Sequence, residues 1–162
     1  MSLTREDYVT KSVTKYLKDI LATRGYTDDT VELLDSFPQT GLESPLSKTF
    51  IAAGFNFDDG GKQAELGSTL KFRLYTIEFF IFGNTRTWAK NVANAVKFSL
   101  EQDQIVPIFN ILDPAMPQMD AMPVINCSAE HQPIPKPAPW EENVWTVHLR
   151  VEDTYIAADA VA

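Results

Sequence analysis

Cysteine is almost missing from this chain. Cys127 is the single one in 162 residues, so no intrachain disulfide can form and a reducing compartment is the easier setting. Basic residues are also scarce: 14 Lys and Arg stand against 22 Asp and Glu, a net charge of −8, and no two basic residues are adjacent. A surface that grips nucleic acid through its phosphates needs clustered Lys and Arg, and an anionic membrane asks for the same. Neither partner is expected, although nucleic acid can pass nearby without sticking. Long apolar runs are lacking too. The longest, Leu74–Phe82, is interrupted by Thr76 and Glu78 and falls short of the ~20 residues of a membrane helix. The polar start, Met1–Asp7, leads into no signal-peptide core, and the expectation is a soluble protein made in the cytoplasm.

What is present is the material of an ordinary core. Ten Phe, five Tyr and three Trp exclude a wholly disordered chain, and the length predicts a single domain over 1–162. Apolar residues from Tyr8 to Leu21 follow the helical period. Thr4 and Asp7 have capping-box spacing and Gly25 suits a C-cap, so a helix is predicted over Thr4–Arg24. Val31–Leu34 fits a strand or a helical turn. Thr49–Phe57 reads as a strand, followed by a turn at Asp58-Asp59-Gly60-Gly61 and a short returning strand within Lys62–Leu66. Leu70–Phe82 is the strongest strand. Its apolar alternation changes phase, which predicts a bulge near Leu74–Tyr75.

Thr85 is the expected N-cap of a second helix, Thr85–Gln102, with Trp88, Val92, Ala95, Val96 and Leu100 on its apolar face. Gln104–Leu112 returns as a strand in which Pro107, lacking an N–H, predicts an edge or a bulge. Eight of the ten prolines lie between Pro107 and Pro139 and three of the four methionines within 113–139, and 113–139 reads as a long Pro-rich loop or arm. Val144–Asp153 alternates as a last strand, with Trp145, Val147, Leu149, Val151 and Asp153 on one side. The order of elements predicts an α+β fold: a mostly antiparallel, curved sheet with two main helices packed on it.

Catalytic machinery is sparse. Gly83-Asn84-Thr85 lacks the second Gly and the Lys of a phosphate loop and reads as a strand-to-helix cap. Asn56, Asp58 and Asp59 beside two glycines lack EF-hand spacing and read as a solvated hairpin turn. Cys127 and His131 are four apart, but no third group orients them. Three Cys and His residues in the whole chain are too few for a zinc site of about four such ligands. No catalytic residue, metal ligand or cofactor site is predicted, and the chain is not expected to be an enzyme. His148 reads as a half-exposed strand residue. Glu78, in an apolar strand, either faces solvent or a partner, or is a tuned carboxylate in a pocket. Met116, Met119, Met122 and Trp140 are candidate partner contacts, since Met and aromatics adapt to protein surfaces; the tryptophans equally well close a core.

In the order of its elements the chain resembles the tail terminator, or tail completion, proteins of long-tailed bacteriophages. The resemblance is carried by the helix Tyr8–Leu21, the meander ending in Leu70-Lys-Phe-Arg-Leu-Tyr-Thr-Ile-Glu-Phe-Phe, the helix beginning Trp88-Ala-Lys-Asn-Val, and the late strand from Trp145 to Tyr155. It implies a structural virion protein of the neck: a homo-oligomeric ring, expected to be a hexamer, that caps the tail tube, stops its polymerisation and meets the head–tail connector or stopper protein. DNA would pass through the lumen without specific binding, and acidic residues would repel it; Asp58, Asp59, Glu101 and Asp103 are the lumen candidates. The arm at 113–139 would reach a neighbouring subunit. The alternative is a small-molecule binding protein or enzyme on a cone-like, nuclear-transport-factor-like fold with Glu78 inside an apolar pocket.

Overall fold

The computed structural model describes residues 3–34, 48–57, 62–63, 69–83, 85–131 and 144–156. The expected turn at 58–61, Trp140 and the end of the Pro-rich stretch, 132–139, lie outside them.

Helix α1, Arg5–Thr23, is closed at both ends by its own sequence. Thr4 Oγ1 accepts the Asp7 N–H at 3.3 Å and Asp7 Oδ2 accepts the Thr4 N–H at 2.7 Å, the reciprocal capping box. At the other end Gly25 takes φ 88°, and the Gly25 and Tyr26 N–H groups return to the carbonyls of Ala22 and Leu21. This is a Schellman stop, in which glycine tolerates the left-handed turn. The stripe Tyr8, Val9, Val13, Tyr16, Leu17 and Leu21 is buried.

The strands are β1 (Val31–Leu34), β2 (Thr49–Phe57), β3 (Lys62–Gln63), β4 (Leu70–Phe82), β5 (Ile105–Phe109), β6 (Gln118–His131) and β7 (Val144–Ile156), and helix α2, Arg86–Asp103, joins β4 to β5. They form one curled sheet in the order β1-β2-β4-β7-β6-β5, with β3 also on β4. The fold is α+β with a mostly antiparallel sheet, as the sequence predicts; the exception is β1, which runs parallel to β2. The core lies between one face of the sheet and the two helices, where Ile51, Tyr75, Ile77, Phe79, Val147 and Leu149 meet the helical stripes.

Several local expectations change. Strand β4 carries no bulge: its register with β7 runs unbroken from Leu70↔Ile156 to Phe82↔Val144. The core phase of Tyr75, Ile77, Phe79 and Ile81 extends back to a buried Arg73, which leaves Phe72 and Leu74 on the other face. Strand β3 does not return against β2. Both lie antiparallel along the same edge of β4, with Phe57 opposite Tyr75 and Lys62 opposite Phe72. On that edge β3 continues the line of β2.

The core stripe of α2 is Ala89, Val92, Ala93, Val96, Ser99 and Leu100. Trp88 falls on its flank and meets Tyr26 edge-on at 5.8 Å. Much of the supposed Pro-rich loop is the fourteen-residue strand β6. Its Pro123 stands opposite Ile105, at the point where β6 gives up β5 and takes up β7 from Val124, with a register shift between Val124 and Asn126. A proline is tolerated where pairing changes hands. Strand β5 is an outer strand, as Pro107 foretold, and its register shifts between Ile108 and Phe109.

Candidate functional site

Three polar arrangements stand out. The first is buried. Arg5, 4% exposed, points its fork at the fully buried Asp153: Nε donates to Oδ2 at 2.9 Å and Nη2 to Oδ1 at 2.8 Å. Nη2 also donates to Asp120 at 3.1 Å, and the Tyr75 hydroxyl donates to Asp153 Oδ2 at 2.9 Å. Nearby, Arg73 donates to Glu6 at 3.0 Å. Burial alone would lower the pKa of the Arg5 guanidinium, and its bonds to Asp153 and Asp120 more than reverse this, so it stays charged. Burial, then the Asp153 charge, pushes the Tyr75 phenol up. Every member shown here is partnered, so the cluster clamps the first turn of α1 to β4, β6 and β7.

The second lies on the helix-free face of the sheet. Register places Glu78 beside His148, and His148 beside Ser128. His148 Nε2 is 2.8 Å from Glu130 Oε1, and Nδ1 is 3.4 Å from Glu78 Oε1. Two carboxylates therefore hold opposite nitrogens of one ring and tie β4, β7 and β6 together. Glu78 is 40% exposed here. The alternative reading needs it inside the cone, and strand alternation puts it on the other side. Among the described residues no group of three or more His, Cys, Asp or Glu side chains is arranged to hold a metal ion.

The third is the C-terminal end of α2. Glu101 pairs with Lys97 at 2.9 Å, and Asp103 accepts the Tyr16 hydroxyl at 2.6 Å. Both lumen candidates thus sit in the last turn of a helix with their charges engaged by neighbours. Asp58 and Asp59, like Trp140, lie outside the described residues. Among the partner-contact candidates, Met119 is exposed, Met116 is half-buried, and Met122 is fully buried in the core, so Met122 is corrected from surface to core. Cys127 and His131 share β6, where four residues of strand rise set them about 13 Å apart. Burial, with the Glu101 charge, pushes the Cys127 thiol up to about 11. This is an inert thiol rather than an activated one.

Arg5, Asp120 and Asp153 escaped the sequence reading. The available signal was phase: Asp153 and Arg73 continue the core alternation of two strands that proved to be neighbours, and an acid and an arginine in core phase need partners. Ser12 is a second omission. This buried hydroxyl accepts the Phe109 N–H at 2.8 Å, where the β5 register shifts.

No protein-family model matches the chain, and no curated protein matches it in sequence. Among the described residues, no helix is long and apolar enough to cross a membrane.

Proposed function

We propose that this protein is a structural component of a phage neck, closing head-to-tail into a ring, hexameric by the family resemblance, that caps the tail tube and meets the head connector. The observation that carries the reading is the form of the sheet. It is curled, has helices on one face only, and ends in two unlike borders, β1 on one side and β5 with the far part of β6 on the other. Unlike borders suit heterologous contacts, which close into rings. The charge distribution also supports a lumen that does not hold DNA. The two helices carry seven basic and five acidic residues, so the rest of the chain carries the other seven basic and seventeen acidic residues, a surplus of ten negative charges. The virion neck is then its place of action, and DNA its passing neighbour.

The test is a tube-polymerisation assay. Tail tube protein assembling in the presence of this chain should give tubes that stop growing and carry a ring at one end in negative-stain images. Tubes of unchanged length with bare ends would overturn the proposal.

A further inference from the structure

We infer that copies of this chain join edge to edge, the β1 border of one subunit entering a groove between α2 and β6 of the next. The inference rests on the ring reading and names the surfaces that would build the ring.

Strand β6 changes partner along its length. Up to Pro123 it pairs with β5; from Val124 it pairs with β7. The Val124 N–H is taken by the Gln104 carbonyl at 2.8 Å, at the end of α2. Past that point, over 125–129, the edge of β6 away from β7 receives no strand among the described residues. An open strand edge is a template for another strand. Above it lies an open groove of about 590 Å³ with a mixed lining, Pro123, Val124 and Ile125 beside Glu101, Gln104 and Asn126. Ile125, at the register shift, is 50% exposed. An open strand edge offers main-chain hydrogen bonds to an added strand, and a pocket beside it takes alternate side chains.

Charge selects the occupant. Arg86, Lys90 and Lys97 fall within about 40° of one another at 100° per residue, so they make one basic row along α2. Lys97 pairs at 2.9 Å with Glu101, which lines the groove, so the Lys97 end of the row lies beside the open edge. The opposite border of the sheet is acidic. Asp28 and Asp29, both exposed, lead into β1; Glu32 within it is already paired with Lys48 at 3.2 Å, so the two aspartates carry the border's charge. Strand β1 pairs with β2 on one side and with no other strand among the described residues. It is short, as the open stretch of β6 is, and what it brings to the groove is its outer backbone edge, since Leu33 and Leu34 point to opposite faces and pack within their own subunit. A basic row beside one edge and an acidic approach to the other favour unlike edges and repel like ones.

Charge reversal tests this in the intact chain. Light scattering would follow the wild type, R86E/K90E, D28K/D29K and an equimolar mixture of the two variants, with circular dichroism reporting the fold. The wild type should run as a closed oligomer, and each variant alone as an 18.2 kDa monomer with an unchanged spectrum. The mixture should regain the wild-type mass, because every edge again meets its opposite charge. Ile125→Lys, which changes no member of the charge pairing, should also give a folded monomer. If the wild type forms rings and these variants assemble equally well, the edge pairing is wrong and the ring reading stands. A wild type that stays monomeric at every concentration overturns the edge pairing as well, and capping is then judged by tube length alone.

Discussion

Arg5 and Asp153 are 148 residues apart in sequence and meet through two hydrogen bonds of 2.9 and 2.8 Å in the interior. The pair pins the start of α1 to the central strand of the sheet. Breaking it from one side leaves a buried charge without its partner, which costs about 3–5 kcal/mol. Asp153→Ala should therefore lower unfolding stability by that order in urea titrations. A double change of Arg5→Met with Asp153→Leu should cost less than Asp153→Ala alone.

Ser12 holds the one N–H that the register shift in β5 turns toward α1. Ser12→Ala leaves the Phe109 N–H buried and unpaired at a cost of about 1–3 kcal/mol. Amide exchange should quicken most at Phe109, and thermal unfolding should shift downward.

Gly83 sits between β4 and α2 with no room for a side chain. A Cβ there would stand 2.5 Å from both the Ala89 Cβ and the Thr85 carbonyl oxygen. The contacts are with backbone and a rigid methyl, so the helix start must move. Gly83→Ala should destabilise by about 1–3 kcal/mol, measured by thermal melting.

The Cys127 thiol titrates at about 11 against an ordinary 9.0. Its folded pKa is raised, so its contribution to stability is complete below about 9 and is lost as pH rises through 11. Alkylation of the native protein at pH 8 should run about 100-fold slower than that of the urea-unfolded chain, following the thiolate fraction. Equal rates would show that the thiol is not held as described.

The Tyr16 phenol is also raised, by burial and then by its bond to Asp103. The unfolded chain releases that proton first, near pH 10, so stability should fall above pH 10. Tyr16→Phe should flatten that alkaline fall in melting curves, and an unchanged slope would exclude Tyr16 as its source.

The helices and the long strands were legible because their signals are local. Thr4, Asp7 and Gly25 mark α1, and Thr85 marks the start of α2. Strand β6 is hidden in the sequence because Pro123, Met119 and Met122, with prolines on either side, read as loop; only pairing with β5 and β7 on successive stretches makes an extended strand there favourable. The missing bulge has the same cause. Arg73 is polar, so its place in the core phase becomes visible only once Glu6 and the neighbouring strand are in view. Glu78 and its partner His148 lie 70 residues apart in two strands; the register that joins them is a tertiary fact.

The central pairing of the sheet, β4 with β7, joins residues 62 to 86 positions apart, and β7 is the last of the seven strands to be synthesised. Until it arrives, β4 has one open side, α1 has no Asp153 to hold, and the far half of β6 has nothing to lie against. Contacts of such sequence separation form late and slowly. A nascent chain therefore offers no finished border to a neighbour, and folding sets the order of events: the subunit completes its own sheet before it has edges to share.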